Sequence, residues 1–149
     1  MKLNAGRAIL GGFVGTIVLT MLMYIAAPMM GIPKMDIAAM LGSVLGGWTM
    51  GMVIHFVNGV VLFPLIYVFV LYSKLRGTPA IKGILWGATL WLVAGLVVMP
   101  MMGAGLFGTA NGGMMAAAAS LIGHLVYGAL LGAIAGRPAP RLETAPVQI

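Results

Sequence analysis

The 149-residue chain has no cysteine and only two carboxylates, Asp36 and Glu143. Without thiols there are no disulfides, no thiolate metal centres and no iron–sulfur clusters. Two isolated acids leave no pair for general acid–base catalysis. Charge of either sign is scarce at 7% of residues, against 62% hydrophobic and a mean hydropathy of +1.12. Soluble domains carry about 25% charged residues, so this chain has too little polar surface to face water and is read as a membrane protein. The net charge of +6 is no nucleic-acid footprint, because the basic residues fall in the gaps between apolar runs.

Those runs define four spans, about 8–30, 48–72, 81–102 and 114–135. The first, flanked by Lys2 and Arg7, exceeds the roughly 7–15 residues of a signal-peptide core and is expected to be retained. Pro28 and Pro100 are expected to end the first and third spans, and Pro64 to kink the second. Trp48 and Tyr72 suit the two ends of the second span as interface anchors. Gly31–Gly47 is a connector with a short helix capped by Asp36. Gly103–Gly113 is a charge-free, glycine-rich loop, and Arg137–Ile149, with three prolines, is a disordered tail. Seven basic residues (Lys2, Arg7, Lys74, Arg76, Lys82, Arg137, Arg141) fall on one side and Lys34 alone on the other, which places both termini in the cytoplasm.

The halves 1–72 and 73–136 read as tandem helical hairpins. Pro28-Met-Met-Gly31 recurs as Pro100-Met-Met-Gly103, and at the same offset Gly11 and Gly15 fall on Gly83 and Gly87. Each half then carries a histidine in a small-x-x-x-His-x-x-(Asn/Tyr)-Gly frame: Gly51, His55, Gly59 and Ser120, His124, Gly128. The small residues sit one turn before and after the imidazole on one helix face. Two spans per half give both copies one orientation, so His55 and His124 are expected at one depth on diagonal helices of an all-α, four-span bundle.

Pro100-Met-Met-Gly-Ala-Gly-Leu-Phe-Gly108, His124-Leu-Val-Tyr-Gly128 and His55-Phe-Val-Asn-Gly59 together resemble a prokaryotic family of small four-span membrane proteins of unknown function. The resemblance covers most of residues 8–136. It implies the span count and a cell-membrane location, and it carries no catalytic residues.

Ionisable groups at membrane depth are costly and mark functional sites. In the plainest reading both imidazoles are neutral and bond across helices to Ser120, Asn58 or Thr49. A second reading is haem b held between His55 and His124, with the flanking small residues making room for the macrocycle. A third is Cu(I), with Met29, Met30, Met101, Met102, Met114 and Met115 as thioether donors, although methionine is also an ordinary gap-filler. Gly11/Gly15, Gly51, Gly59, Gly83/Gly87 and Gly128/Gly132 are small-residue ridges for close packing or for a dimer face. Ser120 and His124 share a helix face but lack an oxyanion hole and a third orienting group, which argues against a hydrolase. Too few buried polar groups argue against a permease unless the chain oligomerises. The expected function is a non-enzymatic inner- or plasma-membrane component, an accessory or assembly subunit working beside other membrane subunits or as a self-associated carrier, in contact with the lipid bilayer and with no nucleic acid.

Overall fold

The computed structural model describes residues 4–136; the tail 137–149 lies outside the described residues. The fold is all-α: α1 (Ala5–Met29), α2 (Ile37–Leu45), α3 (Trp48–Leu71), α4 (Pro79–Met101) and α5 (Leu106–Ala135), with no strand among the described residues. The four long helices have 23 to 30 residues and mean hydropathies of 1.7 to 2.2. About 20 residues suffice to cross the hydrocarbon of a bilayer.

Local chemistry sets the ends. Asn4 caps α1 by accepting the Gly6 N–H at 2.8 Å. Thr78 caps α4, and Pro79 takes the first helical position, where its missing N–H costs nothing. That is why α4 begins two residues before the expected 81. Gly46, with φ of +99°, closes α2 in the left-handed conformation.

The three prolines within the spans share one local device. Leu22–Ala26, Asn58–Leu62 and Ala94–Val98 are π-helical turns, closed by N–H groups of Ala27, Phe63 and Met99 reaching back five residues. Each donor stands immediately before a proline. Proline's ring crowds the carbonyl four residues back, and widening the helix by one residue relieves that crowding. α3 therefore runs on through Pro64, whereas α1 and α4 end one residue after Pro28 and Pro100, where the first and third spans were expected to stop. Beyond Pro28 and Pro100 the backbone repeats almost identically: Met30 (φ −92°, ψ 9°) against Met102 (φ −93°, ψ 7°), then Gly31 (φ 76°) against Gly103 (φ 74°).

In the expected loop Gly103–Gly113 the backbone has positive φ at Gly103, Gly105, Phe107, Gly108 and Gly113, with short helical pieces between. Leu106–Gly108 forms a 3-10 turn and the helix proceeds from Thr109, interrupted at Gly113 by a φ of +61°. The ring of Phe107 explains the fold of this segment. It stacks on Trp91 with centroids 4.3 Å apart and lies so close over Gly95 that a Cβ there would overlap it. This packing holds Phe107 at φ of +54°, which a bulky side chain resists.

α1 packs between α3 and α5, and α5 between α1 and α4. The ring is completed where the Tyr67 hydroxyl donates to the Pro79 carbonyl at 3.1 Å and Phe63 meets the edge of Trp86. α3 and α5 thus face each other across the bundle. All eight ridge glycines are buried, and each abuts another helix of the same chain. A Cβ on Gly83 would strike the Gly128 carbonyl, on Gly87 the His124 carbonyl, on Gly132 the Pro79 carbonyl, and on Gly51 the Ala38 carbonyl of α2. Gly11 and Gly15 fit against Leu131 and Tyr127, and Gly59 against Thr16. The ridges are consumed inside one protomer. Ala8, Tyr67, Trp86, Leu90, Tyr127 and Leu131 form the apolar core below the histidines, and among the described buried side chains the indole N–H of Trp86 is without a partner.

Candidate functional site

A cavity of about 160 Å³ lies between the four long helices and beneath the first connector. Helical periodicity places its polar wall. α1 contributes Thr16, Thr20 and Met23, and α5 contributes Ser120, His124 and Tyr127, in both cases at i, i+4 and i+7. α3 adds His55, Asn58 and Gly59, whereas α4 presents only apolar side chains, among them Leu90, Ala94, Val98 and Met99. Met35, Ile37, Met40 and Leu41 of the first connector and α2 form the roof.

His55 and His124 therefore line one cavity. The His55 Nε2 lies 3.0 Å from the Thr20 hydroxyl oxygen. That hydroxyl has one hydrogen, which it donates to the Thr16 carbonyl at 2.7 Å, so it accepts from His55 and the proton sits on Nε2. The His124 Nδ1 lies 2.8 Å from the Ser120 carbonyl, an acceptor only, so Nδ1 carries its hydrogen. Each neutral ring spends its N–H on an α-helical neighbour and keeps a lone pair on its other nitrogen. Thr20 was not anticipated from the sequence as the partner of His55. The signal was present in Thr16-x-x-x-Thr20-x-x-Met23, a polar face at helical spacing in an apolar run. Of the anticipated partners, Ser120 participates through its backbone, Asn58 lines the cavity, and Thr49 is exposed.

The six methionines singled out from the sequence lie elsewhere. Met29, Met30, Met101, Met114 and Met115 are 63 to 83% exposed, Met102 is half-buried, and none lines the cavity. A Pro-Met-Met-Gly helix end aims its side chains outward. The methionines that do line it are Met23, Met35, Met40 and Met99. Among the described residues no three His, Asp or Glu side chains cluster in a way that could hold a metal ion.

The roof is tied down by Asp36. Its Oδ1 accepts from the Tyr24 hydroxyl of α1, from the Ala39 N–H at 3.0 Å and from the Trp48 indole at 3.1 Å. Its Oδ2 pairs with Lys34 at 3.2 Å, whose ammonium also lies 4.4 Å from the centre of the Tyr24 ring. Burial opposes ionisation of this carboxyl, but the donors outweigh it and hold it at about 2. An unfolded aspartate titrates near 3.9, so the stabilisation is complete above about pH 4 and is lost as pH falls through about 2. Asp36→Ala is expected to cost about 1 kcal/mol or somewhat more and to raise amide exchange across α2 while α4 and α5 stay protected. In the unsubstituted chain the protection of the α2 amides, taken relative to the intrinsic exchange rate at each pH, should be flat from pH 8 to about pH 4.

Helix lengths, hydropathy and packing define a multi-pass, all-helical membrane protein whose spans enclose a polar-lined cavity. Residues 3–145 match the model of a family of unknown function, DUF6789, and the chain belongs to that family. No curated protein and no solved structure matches it.

Proposed function

We propose that this chain is a non-enzymatic component of the cell membrane, an accessory or assembly subunit that works beside a larger complex and holds a small ligand between His55 and His124. The observation that carries this reading is the cavity: two imidazoles, each with a lone pair to spare, at the centre of a hydrocarbon-facing bundle. Buried polar groups that only served packing would be expected to satisfy one another. The near-identical backbone around Pro28 and Pro100 supports reading the halves as tandem copies, and the seven-to-one distribution of basic residues supports cytoplasmic termini. The volume argues against haem b. About 160 Å³ lies below the roughly 300 Å³ at which pockets for drug-sized ligands begin and near the roughly 150 Å³ that accepts a benzene. The cation nearest the roof, Lys34, is already paired with Asp36 and is not free for a propionate. The residues do not fit that group.

The test is to purify the tagged full-length chain from its own membranes in mild detergent and weigh it by native mass spectrometry. A larger partner and a bound non-protein mass are expected, the latter missing from both His55→Ala and His124→Ala. A bare chain with no bound mass, and alanine variants melting as the parent does, would overturn the proposal.

A further inference from the structure

The geometry points to a soft monovalent cation, Cu(I), as the ligand of the cavity, held by the free ring nitrogens of His55 and His124 with thioethers from Met35 and Met99. This rests on the reading that the paired-histidine cavity holds a ligand, and it names the ligand's chemistry.

Most hydrogens on the polar wall are already committed. Both imidazole N–H groups are spent on α-helical neighbours. So are three hydroxyl hydrogens around the cavity: Thr16 donates to the Gly12 carbonyl, Thr20 to Thr16 and Tyr127 to Gly59, each at 2.7 Å. Of the seven polar side chains in the lining, these five offer lone pairs inward; the Ser120 hydroxyl and the Asn58 amide, which can donate as well as accept, are the other two. Lone pairs outnumber donors on this wall, which suits a Lewis acid better than an anion.

No carboxylate lines the cavity, so its donors are all neutral. Hard cations such as Ca²⁺ and Mg²⁺ favour anionic oxygen, and an uncompensated double charge among so many apolar side chains is prohibitive. Imidazole nitrogen with thioether sulfur is instead the donor set of Cu(I). Thioethers are present on the inside. A Cβ placed on Gly108 would lie 2.9 Å from the Met35 methyl and 3.1 Å from the Met99 sulfur, so these two cavity-lining side chains converge beside Gly108. Met99 is 3% exposed. A His124 ring fixed through Nδ1 to a backbone carbonyl is also held as metal-bound histidines commonly are.

The test is a Cu(I) titration of the full-length chain in detergent under ascorbate, in competition with bicinchoninate. One copper per chain is expected, with both nitrogen and sulfur neighbours in X-ray absorption. His55→Ala or His124→Ala should weaken binding at least about tenfold, and Met35→Leu with Met99→Leu by a similar factor. Leucine conserves volume, so the methionine pair decides if the histidine variants fail to fold. Met29→Leu with Met30→Leu and Met101→Leu should bind as the parent does. Absence of Cu(I) binding, or loss confined to those outer methionines, overturns the inference. If copper fails while native mass spectrometry still finds a small molecule lost with His55→Ala, the ligand cavity stands and only the copper assignment falls. If no mass is found either, both fall.

Discussion

Gly87→Val should separate α4 from α5 and cost about 3 kcal/mol or more. Overpacking a core typically costs about 1–3 kcal/mol, and the upper end applies because the obstacles are main chain. The new Cβ would meet the His124 carbonyl and, at 3.4 Å, the Gly128 Cα, neither of which can swing aside as a side chain does. Gly83→Val, facing the Gly128 carbonyl, should behave alike. Thr89→Val, exposed two residues along the same helix, should stay within about 0.5 kcal/mol of the parent. Thermal unfolding in one detergent compares all three. A Gly87→Val chain that melts with Thr89→Val would mean that α4 and α5 are not packed backbone to backbone.

Tyr127→Phe should cost about 1–3 kcal/mol, more than the roughly 0.6 kcal/mol typical of a hydrogen bond between membrane helices. The reason lies in the π turn before Pro64. Phe63, four residues after Gly59, gives its N–H to Asn58, and the next residue, Pro64, has none. The Gly59 carbonyl is left without a helical donor, and the Tyr127 hydroxyl, buried at 2.7 Å, supplies one. In a membrane interior no water replaces it. Restoring the missing N–H with Pro64→Ala should make the loss of the hydroxyl much cheaper, and a double-mutant cycle measures that coupling. A cost near 0.6 kcal/mol in both backgrounds would show that Gly59 finds another donor.

What could be read from the chain was what is local. Apolar runs gave the spans, and Asp36 standing before Ile37-Ala-Ala-Met gave the cap of α2. The matched histidine frames pointed to residues that do share a cavity. What could not be read depends on neighbours distant in sequence. Asp36 was legible as a cap but not as the acceptor of Tyr24 and Trp48, since those bonds exist only once α1 and α3 are side by side. The paired methionines after Pro28 and Pro100 drew attention because they repeat, yet helix ends at a membrane surface expose their side chains. Met23 and Met99 carry no motif and reach the cavity through helical phase alone. Gly103–Gly113 looked like loop because glycine lowers helix propensity. The positive φ of Phe107 is met by stacking on Trp91, a contact no local pattern announces.

The three tryptophans occupy settings so unlike that the molecule carries its own optical gauge. Trp86 is buried with an idle indole N–H and should fluoresce at the blue edge of the tryptophan range, out of reach of aqueous quenchers. Trp48, 49% exposed and donating to Asp36, should emit to the red and be quenched readily. Trp91, face to face with Phe107, reports on the second connector. Acidification that unfastens the first connector should therefore alter the red component while leaving the blue one untouched, so roof and core can be followed separately in a single cuvette.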